Sequence, residues 1–159
     1  GEADHEVVTA LRDSLEELRL VILSLDPGLT EVAPLLAALR ARLEPTLQRR
    51  GIRFRWRVAE APTPRRFGPE QLLHVLRIVQ EAITNAVRHA APQTIEVATA
   101  VADGVLVITV RDDGNGFPES LRRGRGLGNM ERRAQDLGAP LAFRSGADGT
   151  IVELRLTLA

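Results

Sequence analysis

The sequence predicts an α+β fold in two layers, a mixed sheet of about five strands with three helices on one face, preceded by an N-terminal helical segment. Three observations carry this. Leu72, Leu76, Val79, Ile83, Ala86 and Ala90 recur at helical period and form one apolar stripe. Short β-type runs are joined by Asp-Gly pairs, Asp103-Gly104 and Asp148-Gly149, which favour tight hairpins. Strands and helices do not alternate with the regularity that a doubly wound parallel sheet requires.

The chain of 159 residues is long enough to bury a core, with one domain plus a helical appendage as the expected organisation. Its formal net charge is zero, so no bulk electrostatic attraction to nucleic acid or anionic membrane is indicated. All basic residues are arginine, which excludes lysine chemistry. The absence of cysteine excludes disulfides, thiolate nucleophiles and cysteine zinc sites. His5, His74 and His89 do not stand at metal-ligand spacing. No apolar run approaches the ~20 residues that span a bilayer, and the expectation is a soluble, cytoplasmic domain.

From Glu2 to Leu25, the residues Val8, Leu11, Leu15, Leu18, Ile22 and Leu25 form a heptad seam, which calls for a partner helix in a bundle or dimer, or for the helix's own domain. Asp26-Pro27-Gly28 ends this helix. A second runs from Thr30-Glu31 to about Arg50, with Leu35, Leu36, Leu39 and Leu43 inward and a kink expected at Pro45. Ile52–Val58 alternates apolar and basic residues as a half-buried edge strand, with Trp56 expected in the core. After a Pro/Arg-rich loop, Pro69 opens the helix that carries the apolar stripe, and Pro92 ends it. Strands near 94–101 and 105–111, a helix after Gly126-Leu-Gly-Asn129 ending near Gly138, and a hairpin of 141–145 and 150–158 complete the chain.

Three stretches could carry chemistry. On the central helix Glu81, Asn85 and Arg88 share one stripe, which presents a carboxylate, an amide and a cation together. An amide oxygen suits magnesium, which prefers oxygen ligands and is completed by substrate phosphates, and a carboxylate one turn earlier suits a general base. The same pattern also makes an ordinary solvated helix face. Asp112-Asp-Gly-Asn-Gly116 follows a strand directly, so its glycines would admit a flat ligand and a strand-end carboxylate could bind an exocyclic amine. Taken alone it is also a turn sequence. Gly124-Arg-Gly126-Leu-Gly128 precedes a helix whose first-turn amides could cradle phosphate, and it is no Walker motif because lysine is absent.

In this order, Gln80–Ala90, Asp112–Gly116, Gly124–Gly128 and Gly149-Thr150 resemble the N, G1 and G2 boxes and the terminal Gly-Thr of the sensor histidine kinase catalytic and ATP-binding domain. That domain belongs to the GHKL ATPase superfamily, and the wording is most similar to the subfamily that pairs with helix-turn-helix response regulators. The resemblance covers roughly residues 7–158. It implies a two-layer α/β sandwich of the GHKL type. It also implies residues 1–27 as part of the C-terminal helix of a dimerisation and phosphotransfer bundle, and residues 28–159 as the ATP-binding catalytic domain.

The resemblance further implies ATP and Mg2+, with Asn85 as metal ligand and Glu81 as catalytic base. Asp112 would bind the adenine amino group, Gly114 and Gly116 would shape its pocket, and Thr150 would support the adenine side. Gly126 and Gly128 would cover the phosphates, with Gly124 and Leu127 of the same box in the ATP site, Arg88 and His89 near phosphate, and 118–125 as lid. The implied partners are a phosphoacceptor-histidine helix of the full-length kinase, a response regulator and a second copy as homodimer, with no nucleic acid. The domain could be the cytoplasmic part of a membrane-anchored sensor. His5, in Asp4-His5-Glu6, departs from the acceptor pattern, so the acceptor is expected outside this chain. The other readings are a GHKL-fold serine kinase regulating a sigma factor, which would not need the heptad helix, and a nucleotide-binding module without turnover.

Overall fold

The computed structural model describes residues 1–59, 61–118 and 125–159. Helices α1 (Glu2–Leu25) and α2 (Val32–Arg49) precede strand β1 (Arg53–Arg57). Helix α3 (Pro69–Asn85) continues into a π-helical turn, Ala86–Ala90. Strands β2 (Thr94–Ala102) and β3 (Val105–Asp112), helix α4 (Arg125–Asp136), and strands β4 (Leu141–Gly146) and β5 (Gly149–Thr157) follow. The sheet order is β1-β2-β3-β5-β4, with β1 parallel to β2 and the other pairs antiparallel. A parallel pair needs a crossover, and α3 lies within it. The expected mixed five-stranded sheet and its helical layer are what the chain forms.

The sheet buries alternate residues, Ile95 and Val97 of β2, Leu106 and Ile108 of β3, and Leu154 and Leu156 of β5. Against them lie Leu35, Leu36 and Leu39 of α2, Met130 and Ala134 of α4, and the predicted stripe from Leu72 to Ala86. All six stripe residues are buried, and so are Val75, Ile78 and Ala82, because α3 is also covered by α1, α2 and α4. Each fully buried aliphatic side chain stabilises the fold by about 1.5–3 kcal/mol relative to exposure.

Local chemistry explains most boundaries. Asp26 Oδ1 accepts the Gly28 N–H at 2.8 Å after α1, and Gly51 (φ 71°) closes α2. α2 runs through Pro45 without a break in the helix. Asp103 (φ 53°) and Gly104 (φ 72°) both lie in the left-handed region, as a type I′ hairpin requires. In the last hairpin Gly146 pairs with Gly149, so the turn residues are Ala147 and Asp148 rather than Asp148-Gly149. Trp56 is half-buried rather than fully in the core, with the Arg40 guanidinium 5.3 Å from its ring centroid and Phe54 edge-on.

α1 is two-sided. Leu20 and Ser24 face the domain, and three ion pairs fasten the same side: Glu16 to Arg42 (2.9 Å), Glu17 to Arg77 (2.6 Å) and Asp13 to Arg88 (3.5 Å). The heptad seam does not pack on its own domain. Val8, Leu11, Leu15, Leu18, Ile22 and Leu25 are 44–68% exposed. No described helix is long and apolar enough to cross a membrane.

Candidate nucleotide site

The adenine-side candidates converge. Asp112 closes β3 and is only 6% exposed. Its Oδ1 accepts the Gly114 N–H at 2.8 Å, and its carboxylate also accepts the Thr150 N–H. Burial holds its pKa above the ordinary carboxylate value; the two N–H donors act in the opposite sense, and the charge of Asp113 adds a small upward push. Thr150 pairs with Asp112 across the β3–β5 ladder and is itself buried, with Oγ1 3.1 Å from Ser145 Oγ. Ser145 Oγ also accepts the Phe117 N–H at 2.7 Å. Asp112, Thr150 and Ser145 line a cavity of ≈ 420 Å³. Leu127, Met130, Phe143 and Ser145 line a second one of ≈ 500 Å³ between α4 and the last hairpin. Both have the size of small-molecule sites.

The glycines are dictated by contact. A Cβ on Gly114 would collide with the Ala90 carbonyl oxygen, and one on Gly116 (φ 77°) with the Gly146 carbonyl oxygen. A Cβ on Gly149 (φ 124°) would collide with the Asp112 carbonyl oxygen, so this glycine fixes how closely the last hairpin approaches the main chain of Asp112. Gly128 faces open space. Within the described residues, helix α4 already includes Gly126, Leu127 and Gly128, which are therefore helical rather than in a loop before it. Gly124, and 119–124 of the expected lid, lie outside the described residues.

The other wall is α3. Glu81 and Asn85 are half-buried on one face, and the helix then widens into the π-helical turn, which ends with Ala91 in the left-handed region (φ 46°). Such turns recur at functional positions. Glu81, Gln80, Thr84 and Arg88 line a cavity of ≈ 220 Å³ closed by Asp13, Glu16 and Glu17 of α1. Arg133 of α4 lies close enough to feel Glu81. Burial and the neighbouring Arg77 lower its pKa, whereas Glu17 and Glu81 oppose that shift.

The two phosphate candidates each have a neighbour in this structure. Arg88 pairs with Asp13, and the His89 ring meets Phe117 edge-on at 6.2 Å, with Phe117 stacked on Phe143. Among the described residues no group of three or more His, Asp or Glu could hold a metal ion. The donor set that remains, one amide and one carboxylate on α3, fits an ion such as magnesium that keeps several waters and takes its other ligands from phosphate.

Sequence reasoning singled out the motifs that hold Asp113 and Gly149 without giving either residue a role, and it missed Ser145, Phe117 and Arg133.

Residues 70–159 match the family described as histidine kinase-, DNA gyrase B- and HSP90-like ATPase. The chain belongs to that family. The sensor histidine kinase LnrJ of Bacillus subtilis is 32% identical over 158 residues, covering 95% of this chain and 37% of that protein. The sensor protein NarQ homolog of Haemophilus influenzae is 41% identical over 92 residues, covering 55% of this chain and 16% of that protein. The chain therefore spans well under half the length of these relatives. Among solved structures, the blue-light activated histidine kinase of Erythrobacter litoralis EL346 aligns with TM-score 0.77 and 25% identity, over 96% of this chain and 50% of that one. The histidine kinase AdeS of Acinetobacter baumannii shares the fold at TM-score 0.70 and 15% identity, over 99% of this chain and 83% of that one. The match of this GHKL ATPase domain contains every site residue named above except those of α1; α2 and β1 precede it yet share its core.

Proposed function

We propose that this domain binds Mg-ATP and donates the γ-phosphoryl group to a histidine outside residues 1–159, for relay to a response regulator. The observation that carries this reading is the buried carboxylate of Asp112, set among close-approach glycines and beside the buried Thr150. A carboxylate there accepts the adenine amino group, and guanine, which has a carbonyl at that position, leaves it unpaired. Asn85 Oδ1 and the phosphates would hold magnesium, which supplies charge neutralisation on the phosphate chain. The acceptor imidazole nitrogen bonds to the γ-phosphorus, the bond to the β–γ bridging oxygen breaks, and ADP leaves. Glu81 accepts the imidazole proton.

In the same reading, residues 1–27 belong to a dimerisation bundle and residues 28–159 form the catalytic domain. The exposed seam of α1 meets its counterpart in a second copy, and the domain works in the cytoplasm, where ATP is. The seam also favours this reading over a sigma-factor serine kinase, which has no use for it.

Calorimetric ATP titration with and without magnesium tests the site. Asp112→Ala is expected to lose ATP binding and Asn85→Ala mainly the magnesium-dependent part; unchanged affinity in Asp112→Ala would refute the pocket assignment. Addition of a histidine-bearing helix from the parent kinase, with [γ-32P]ATP, tests transfer.

A further inference from the structure

The two neighbouring aspartates of the G1 box face opposite ways. Asp112 is buried and accepts the N–H groups of Gly114 and Thr150, whereas Asp113 turns back toward the exit of the N-box helix. Asp113 Oδ1 accepts the N–H of Gln93 and the N–H of Thr94, each at 2.8 Å. The contacts of the next two residues run to the same place. Gly114 packs against the carbonyl of Ala90, and the Asn115 N–H donates to that carbonyl at 2.8 Å. Three consecutive G1 residues are therefore laced to residues 90–94, directly after the π-helical turn that follows Asn85.

An Asp before Gly is commonly a local turn residue, bonding its own backbone two positions on. Here both bonds reach 19 and 20 residues back along the chain, so Asp113 is a long-range tether. Along the backbone the link from Asn85 to Asp112 passes through the whole β2–β3 hairpin. Through space it is short, and Asp113 is the side chain that makes it. A nucleotide that meets Asp112 at its base and Asn85 at its metal needs both halves at one fixed separation, and a misplacement of about 1 Å is costly in such a site.

We propose that Asp113 is a positioning residue, whose carboxylate oxygen couples the adenine half of the site to its magnesium half by clamping Gln93 and Thr94. This rests on the Mg-ATP reading above. The clamp needs an acceptor oxygen at that place, not a charge.

The test uses the 159-residue chain and three variants, each titrated with ATP in the presence and absence of magnesium and melted in parallel. The readout is the enhancement of ATP affinity by magnesium, which a general loss of stability does not change. Asp113→Asn keeps an acceptor oxygen in place and is expected to keep the wild-type enhancement. Asp113→Ala removes it, and Asp113→Glu keeps the charge but displaces the oxygen. Both are expected to lose about tenfold of the enhancement, the worth of one hydrogen bond. Asp113→Glu also serves where the alanine variant does not fold. A wild-type enhancement in Asp113→Glu, or a loss in Asp113→Asn equal to that in Asp113→Glu, would overturn the proposal while leaving Mg-ATP binding intact. A wild-type chain that binds no ATP would overturn the underlying reading, and the proposal with it.

Discussion

Replacing Asp112 by asparagine separates what its carboxylate does for the nucleotide from what it does to the fold. The amide has the same shape, so Oδ1 can still accept the Gly114 N–H. Its acceptor is neutral, however. A hydrogen bond to a charged group contributes about 1.5–3 kcal/mol and a neutral one about 0.5–1.5, so ATP affinity is expected to fall about five- to tenfold.

Stability moves the other way. Burial raises the Asp112 pKa in the folded chain, so the folded state binds this proton more tightly than the unfolded state. The stability from that proton is complete below the unfolded pKa and is lost as pH rises through the raised folded value. Wild type is therefore expected to gain melting temperature relative to Asp112→Asn as pH falls through the raised pKa. ATP recognition needs the carboxylate, so wild-type affinity falls as pH drops through the raised pKa, while that of the variant does not. The ratio of the two affinities, measured by calorimetry from about pH 8 to about pH 4, removes the titration of ATP's own phosphates and isolates Asp112. Equal ATP affinity in the two proteins at neutral pH, or a ratio that stays constant with pH, would refute the reasoning.

Three further outcomes are expected. Gly149→Ala forces a side chain into φ 124° and against the Asp112 carbonyl, at about 2–4 kcal/mol, and should lower the melting temperature by roughly 5–15 °C. Glu81→Gln should leave ATP affinity within about threefold while phosphoryl transfer to an added histidine helix falls about 10²–10⁴-fold, as removal of a general base does. Leu15→Asp with Leu18→Asp places charge on the exposed seam; light scattering should then show loss of any dimer, with ATP affinity unchanged.

Where a signal is local, the sequence already contained it. The stripe from Leu72 to Ala90 marks its helix by period alone, and Asp103-Gly104 specifies its turn because both residues must take positive φ. Asp112 was legible for the same reason, since a strand end followed by spaced glycines is a short-range pattern. The tether of Asp113 was not, because Gln93 and Thr94 are near it only after β2 and β3 have paired. Nor were the partners of Arg88 and His89, which are supplied by α1 and by Phe117. The Gly126–Gly128 stretch reads as a loop by composition, and tertiary packing draws it into α4, where Leu127 and Met130 are buried.

The two sides of α1 lie half a turn apart on a shaft of 24 residues, about 36 Å long. One side is bonded to Arg42, Arg77 and Arg88, and the other carries the seam. Inserting one residue after Glu17 would swing everything beyond it by about 100°, and no single rotation could then restore both sides. The seam and the helix that bears Glu81 and Asn85 thus share one angular coordinate. A partner that grips the seam also sets the angle at which Asp13 meets Arg88.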